Sequence, residues 1–184
     1  MAAAPTIWTV GYERASSDAL LAALGQAGVK VLIDVRDLPL SRRAGFSKST
    51  LRASLEAAGI EYLHLKGLGT PKEGRLAARR GDHDLFWRIV DERMATPEAE
   101  FDLLRAADVA RARPSALLCF EADPAVCHRQ RVADALAARF GFRIEHIHPA
   151  HLNPAHLNPA QARPDPGAPA GTAPSPPEDA AGGP

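Results

Sequence analysis

Short apolar segments alternate along the chain with longer segments whose apolar residues recur at helical spacing. The segment Val29–Val35 is nearly continuous in apolar and β-branched residues, which is typical of a strand that helices cover on both faces. Repeated strand–helix–strand units favour parallel strands in one sheet. The sequence therefore predicts an α/β fold, a Rossmann-like three-layer sandwich whose mainly parallel sheet has five strands: Thr6–Val10, Val29–Val35, Ile60–Leu65, Ser115–Phe120 and Phe142–Ile147.

Helix start and stop signals lie between these strands. Three periodic segments each follow a residue that can cap a helix and precede a glycine that can end one. The capping residues are Ser16 or Ser17, Ser47 and Asp123, and the closing glycines are Gly28, Gly59 and Gly141. Pro124 occupies a first-turn position, from which we predict one continuous helix to Phe140. Two further helices are predicted around Leu85–Met94 and over Glu98–Arg111.

The composition changes near Ala150. From there the residues are mostly Pro, Ala, Gly and small polar residues, and the stretch Pro149–Asn153 is repeated as Pro154–Asn158. Such a composition cannot bury enough apolar surface to offset the entropy of ordering the chain. We therefore predict one folded domain over residues 5–149 and a disordered tail over residues 150–184.

The charges of the chain balance, with 22 Lys and Arg against 22 Asp and Glu in 184 residues. That balance excludes a strongly basic nucleic-acid-wrapping protein, although it is compatible with a local basic patch. Two cysteines cannot form a disulfide scaffold, and no apolar run approaches the roughly 18 residues of a membrane span. The first residues lack the basic start and apolar stretch of a secretory signal. We expect a cytoplasmic protein with no membrane partner, and the sequence leaves its oligomeric state open.

The loop after the fourth strand carries unusual residues at the edge where open parallel sheets bind ligands, the carboxyl ends of the strands. Cys119 and Glu121 lie where the strand ends, and the helix that follows carries Cys127, His128 and Arg129. The positive end of that helix, together with the two basic side chains, can lower the pKa of a thiol. Cys127, Cys119, Glu121 and His128 are therefore candidate catalytic residues, and Arg129 is a candidate anion ligand. Alternatively, both cysteines simply pack in the core, where free cysteine is common.

The loop after the second strand is basic. It carries Arg36, Arg42, Arg43 and Lys48 against Asp37 alone. It also runs from a strand end to a helix start, and both features favour anions. We predict that this loop binds a small anionic ligand, such as a phosphate or a nucleotide, or the backbone of a nucleic acid. An ordinary solvated surface loop is the alternative.

Known cofactor motifs are absent from the sequence, which has neither a P-loop nor a GxGxxG motif. Four histidines close to or within the tail lack an accompanying cysteine pair. A second set, of two cysteines and two histidines, has side chains that can bind zinc, but their spacing in the sequence does not match a known zinc motif. The sequence therefore predicts no cofactor and no metal site at either set: His146, His148, His151 and His156 in the first, and His64, Cys119, Cys127 and His128 in the second.

Several motifs together resemble a known family. They are Thr9-Val-Gly-Tyr12, Asp34-Val-Arg-Asp-Leu-Pro-Leu-Ser-Arg42, Gly59-Ile-Glu-Tyr62, Leu118-Cys-Phe-Glu121 and Cys127-His-Arg129. Over about residues 5–148 the chain resembles the bacterial and archaeal domain-of-unknown-function family 488, although Tyr12-Glu13 stands where that family usually has His-Ser. The resemblance implies an α/β fold and a shared pocket made by the motif residues, in which Tyr12 and Ser41 join the arginines around the anionic ligand. It implies no particular reaction.

Two classes of function remain open at this point. In the first, the chain is an enzyme in which Cys127 or Cys119 is a thiolate nucleophile and Glu121 or His128 moves protons. A variant of this hypothesis is rhodanese-like sulfur transfer, although Glu121 and Asp123 would repel an anion from that kind of loop. In the second class, the chain is a non-catalytic module that binds nucleotide or nucleic acid through the same basic edge.

Overall fold

Five parallel strands form one sheet in the computed structural model, which describes residues 4–149 of the chain. Their order in the sheet is β3-β2-β4-β1-β5. The predicted strands are confirmed, with ends shifted by at most two residues, as β1 (Thr6–Gly11), β2 (Val31–Asp34), β3 (Glu61–His64), β4 (Ser115–Cys119) and β5 (Arg143–Ile147). The prediction of a tail over residues 150–184 lies outside the described residues.

Helices cover both faces of the sheet, so the predicted three-layer α/β architecture is confirmed. They are α1 (Ser17–Gln26), α2 (Lys48–Ala57), α3 (Lys72–Arg79), α4 (His83–Met94), α5 (Pro97–Ala112) and α6 (His128–Phe140). Leucines of α1 and α2 pack with Leu32 and Leu118 on one face. The small residues of α5 and the apolar side of α6 pack with Ile33 and Leu117 on the other. Because β2 and β4 are buried along their whole length, they lie at the centre of this core.

Several helix boundaries follow the signals in the sequence. The Ser16 hydroxyl accepts a hydrogen bond from the backbone N–H of Ala19 at the start of α1, and Gly141 ends α6 in the left-handed conformation. At α2, however, the predicted side-chain cap is wrong. The Ser47 hydroxyl instead donates to the backbone carbonyl of Ser41, 3.1 Å away, and so ties the basic loop together.

The prediction of one continuous helix from Pro124 to Phe140 is also wrong. Residues Pro124–Val126 form a single 3₁₀ turn, and the backbone is extended at Cys127 before α6 begins. This break turns the Cys127 side chain into the core, where it has no exposed surface, while Val126 stays half exposed. Cys127 is therefore the N-cap residue of α6. The N–H groups of the first helical turn, which have no partner within the helix, follow it directly in the chain.

A smaller apolar cluster joins α3 and α4 beside the main core, with Ala77, Phe86 and Val90 at its centre. It lies next to the turn Lys66–Leu68, which follows β3. Within residues 4–149, none of the helices combines the length and hydropathy that crossing a membrane would require.

Candidate functional site

Two cysteines and a histidine meet at the carboxyl end of β4, the central strand of the sheet. Cys119 is the last residue of that strand, and Cys127 and His128 lie at the start of α6. His128 Nδ1 is 3.5 Å from the Cys119 sulfur and 4.0 Å from the Cys127 sulfur. The two sulfurs and this nitrogen all lie within 4.8 Å of one another, and all three residues are buried. We call these three residues the thiol–imidazole cluster.

The orientation of the His128 ring is fixed by the end of β2. His128 Nε2 lies 2.9 Å from the backbone carbonyl oxygen of Val35. Because a carbonyl oxygen can only accept a hydrogen bond, Nε2 must carry a proton. Nδ1 therefore faces the two sulfurs, as an acceptor in the neutral ring or as a donor in the imidazolium.

Glu121 supplies a carboxylate to the same cluster. The Cys119 thiol donates to Glu121 Oε2 over 3.2 Å. Burial raises the pKa of Glu121 to about 7, and the nearby Cys127 sulfur contributes to the same shift. Glu121 is therefore a carboxyl group that exchanges its proton near neutral pH, which is the property of a general acid or base.

The environment shifts the pKa values of the two thiols in opposite directions. Burial raises the pKa of Cys119 well above its usual range, and its hydrogen bond with Cys127 acts in the same direction. Burial alone would also raise the pKa of Cys127, but its contacts with Cys119 and His128 and the charges of His128 and Arg129 bring it well below the usual range. Burial would lower the pKa of His128, yet its contacts with Cys127 raise it. These directions favour Cys127 over Cys119 as the thiolate of the pair, with His128 as its cationic partner.

The loop between the cysteines is held by a buried arginine. Arg129 is almost completely enclosed, and its guanidinium donates to the backbone carbonyls of Glu121 and Ala122. The Ala122 N–H in turn donates to the Glu13 carboxylate over 3.0 Å. Gly11 packs closely against the same loop, so that a Cβ at this position would lie 1.8 Å from the Glu121 carbonyl oxygen. These contacts fix the backbone that carries Cys119 and Glu121.

Arg36 and Tyr12, both predicted to bind an anion, belong to a buried network next to the cluster. The Arg36 guanidinium donates to both carboxylate oxygens of Asp34, at 2.8 and 2.6 Å, to the Tyr12 hydroxyl and to the Phe46 carbonyl oxygen. The Tyr62 hydroxyl also donates to Asp34, and burial together with that carboxylate raises the pKa of Tyr62. The charge of Arg36 is thus paired inside the protein.

Ser41, Arg42 and Arg43 lie on the loop between β2 and α2. Arg42 and Arg43 are exposed, and Arg43 donates to the Ala15 carbonyl oxygen over 2.6 Å. Ser41 shapes the loop, since its hydroxyl accepts a hydrogen bond from the Arg43 N–H. An open cleft of about 420 Å³ lies between this loop and the start of α1, lined by Ala15, Ser16, Ser17, Asp18, Arg43, Ala44 and Phe46.

The structure thus divides the predicted residues into three groups. Cys119, Glu121, Cys127, His128 and Arg129 come together at one loop, Arg36 and Tyr12 form the neighbouring buried network, and Ser41, Arg42 and Arg43 lie on the exposed loop. His64 is not among the residues of the thiol–imidazole cluster and bonds instead to the Arg36 carbonyl oxygen. Sequence reasoning gave no role to Asp34 or Glu13, although an aspartate inside the apolar β2 segment is a signal of an internal ion pair.

Comparison with known proteins places the site within a family. The model of the family described as "Domain of unknown function DUF488" matches residues 16–136, about two thirds of the chain. No curated protein and no solved structure gave a significant match. The matched region runs from the N-cap of α1 into α6, so it contains the whole thiol–imidazole cluster.

Proposed function

The chain belongs to the domain of unknown function DUF488 family, and we propose that it is a cysteine-dependent enzyme whose nucleophile is Cys127. The observation that carries the proposal is the convergence of two thiols, an imidazole and a carboxylate at the carboxyl end of the central strand. A cysteine that merely packs in a core needs no such partners. A nucleophilic cysteine needs a base within reach and a third group that orients the base. His128 and the Val35 carbonyl oxygen fill these two roles.

Each group of the cluster has a separate task in such an enzyme. The Cys127 thiolate attacks an electrophilic atom of the substrate, and His128 Nδ1 holds the proton that the thiol gave up. Cys119 stays protonated because burial raises its pKa, so its S–H donates to neighbouring acceptors and does not compete as a second thiolate. Glu121, with its pKa raised to about 7 by burial, donates a proton to the leaving group near neutral pH.

The residues beside His128 favour a small, anionic substrate. A narrow surface groove lies there, lined by Thr70, Arg93 and His128 among others; in this structure it has no room for even a water molecule, so a substrate would have to move its walls apart. Thr70 is buried, and within residues 4–149 its hydroxyl oxygen is the one buried side-chain polar atom with no hydrogen-bond partner. A substrate oxygen could satisfy this hydroxyl, and Arg93 adds positive charge to the same groove.

The proposal predicts that a small alkylating reagent modifies Cys127 faster than Cys119. Cys119 is 4% exposed and Cys127 has no exposed surface, so faster modification of Cys127 would report its thiolate fraction and not easier access. In reduced, metal-free protein the rate at Cys127 should reach half its maximum below the pKa of an ordinary thiol, about 8.5. The measurement is the rate of iodoacetamide modification of each cysteine against pH, followed by mass spectrometry.

His128→Gln should slow the modification of Cys127 at neutral pH, because it removes the cation beside the thiolate. His64→Gln is the matched control, since His64 bonds to the Arg36 carbonyl oxygen and lies outside the cluster. Equal rates at the two cysteines, or no effect of His128→Gln, would contradict the nucleophile assignment.

A non-catalytic binding module is the second candidate, and the cleft beside Arg43 favours it. That cleft lies between the basic loop and the start of α1, where backbone N–H groups favour anions. In this candidate the cleft, and not the groove beside His128, takes the phosphate of a nucleotide or nucleic acid.

Inorganic phosphate should raise the melting temperature by mass action, and charge-removing variants distinguish the two candidates. We expect Arg93→Gln to remove most of the stabilisation, as the enzyme proposal requires. Loss in Arg43→Gln instead would favour the binding module. Arg111→Gln is the control, because Arg111 is exposed on α5 and contacts Asp108. If all three variants respond like the parent protein, phosphate binds neither beside Arg93 nor beside Arg43.

A further inference from the structure

We propose that the thiol–imidazole cluster is also a binding site for one zinc-type divalent metal ion, held by Cys119, Cys127 and His128. Thiolate sulfur and imidazole nitrogen are the donors that Zn²⁺ prefers in proteins. This inference concerns the regulation of the site described under the proposed function. It rests on that proposal in one respect, because the metal ion also needs Cys127 as a thiolate. The ion and an electrophilic substrate would compete for the same sulfur.

The distances between the three donor atoms match a tetrahedral ion. Bond lengths of about 2.3 Å to sulfur and about 2.0–2.1 Å to nitrogen separate a sulfur from a nitrogen by about 3.6 Å, and two sulfurs by about 3.8 Å. His128 Nδ1 lies 3.5 Å from one sulfur and 4.0 Å from the other, and the three atoms lie within 4.8 Å of one another. The separations in this structure exceed the tetrahedral values by at most about 1 Å.

The imidazole is already turned in the way that a metal ligand requires. Metal-binding histidines usually donate their other N–H to a carbonyl or carboxylate, which fixes the ring and its tautomer. His128 Nε2 does this with the Val35 carbonyl oxygen over 2.9 Å. In the neutral ring the lone pair of Nδ1 therefore points at the two sulfurs, and no rearrangement of the backbone is needed.

The charges and the fourth position also fit a divalent ion. Two thiolates compensate a divalent charge, and the histidine binds as a neutral ligand. The Glu121 carboxylate lies 3.2 Å from the Cys119 sulfur, so this carboxylate or a water molecule would complete a tetrahedron. Arg129 fixes the backbone of Glu121 through its carbonyl oxygen, which keeps this carboxylate at the rim of the cluster.

Metal binding would protect the cysteines from reaction. Each of the two sulfurs would share a lone pair with the ion, so neither thiolate is available to an electrophile. The metal-bound protein is then an unreactive, stabilised form, and the metal-free protein is the reactive form. Zn²⁺ should accordingly raise the melting temperature by mass action and slow alkylation of both cysteines.

Cobalt substitution tests the site directly. The reduced full chain, stripped of metal with a chelator, is titrated with Co²⁺ and followed by absorption. We expect saturation at one ion per chain, with thiolate-to-cobalt charge-transfer bands and the intense visible bands of tetrahedral Co²⁺, both removed by Zn²⁺. A spectrum without charge-transfer bands, or one of octahedral Co²⁺ only, would overturn the inference. Because this titration uses the unaltered protein, it does not depend on a variant that folds.

Variants then test the ligand assignment. His128→Gln should weaken Co²⁺ binding by more than about tenfold, since even a lost second-shell partner costs a metal site 10–100-fold in affinity. The double variant His151→Ala/His156→Ala, in which two histidines of the 150–184 segment are removed, is the control and should keep the charge-transfer bands and the affinity. Loss of the bands in this control, or unchanged affinity in His128→Gln, would show that the ion binds elsewhere.

The outcome is distinguishable from failure of the proposed function. Rapid alkylation of Cys127 in metal-free protein, without charge-transfer bands on Co²⁺ addition, would support Cys127 as the nucleophile and would overturn the metal site. Charge-transfer bands together with slow alkylation of both cysteines in metal-free protein would do the reverse.

Discussion

Replacing Asp34 by asparagine is expected to lower the free energy of unfolding by about 3–5 kcal/mol, the usual cost of breaking a buried ion pair by removing one partner. Asp34 has no exposed surface, and its carboxylate accepts hydrogen bonds from the Arg36 guanidinium and the Tyr62 hydroxyl, each as short as 2.6 Å. Asparagine is nearly the same size, so little packing is lost. The Arg36 charge, however, would stay buried without a counter-charge. Urea denaturation measures the change.

The matched control is Glu61→Gln at the start of β3. Glu61 pairs with Arg113 at 2.8 Å, but about half of each side chain is exposed. Exposed ion pairs contribute about 0–1 kcal/mol, so this variant should unfold almost like the parent protein. Equal losses in the two variants would show that the buried network around Arg36 does not have the energetic weight that we assign to it.

Gly11→Ala is expected to have the second largest effect, at about 1–3 kcal/mol or more of lost stability, as for other overpacked sites. The added Cβ would lie 1.8 Å from the Glu121 carbonyl oxygen and 2.6 Å from its carbonyl carbon. Since these atoms belong to the backbone, the loop after β4 must move to make room. That movement should also displace Glu121 from Cys119, so the same variant should change the alkylation rates of the two cysteines.

Gly25→Ala provides a control of opposite sign. Gly25 lies within α1, and a Cβ at this position meets no atom within 4 Å. Alanine restricts the unfolded chain and favours the helix, so we expect a gain of about 0.5–1 kcal/mol. If Gly11→Ala were as well tolerated as Gly25→Ala, the close packing of β1 against the loop would not be what positions the site.

The fold could be predicted because its signals are local. The buried segments that become β2 and β4 are nearly continuous apolar runs, and the helix between β1 and β2 begins at a capping serine and is followed by a glycine. Parallel topology follows from the alternation of strands and helices. The break at Cys127 could not be found in this way, because Asp123 and Pro124 are equally good signals for a long helix and for the single turn that the chain forms.

The site was predicted in part. Cys119, Glu121, Cys127 and His128 are close in sequence and at a strand end, so their meeting follows from the topology. The partner of His128 Nε2 is the Val35 carbonyl oxygen, 93 positions earlier in the chain, and a backbone acceptor leaves no sequence signal. The ligand role of Arg36 stays a prediction, and a count of charges could not show that a buried carboxylate in the preceding strand pairs with this arginine.

The thiolate content of the metal-free protein tests the central claim most directly. Thiolate absorbs ultraviolet light at a wavelength where thiol does not, so a pH titration with a reductant that contains no thiol counts thiolates without requiring any reagent to reach the buried sulfurs. The account predicts one thiolate per chain already at pH 7, kept in Cys119→Ser and lost in Cys127→Ser. A titration in which both thiols stay protonated until about pH 8.5 or above, the range of an ordinary thiol, would contradict it.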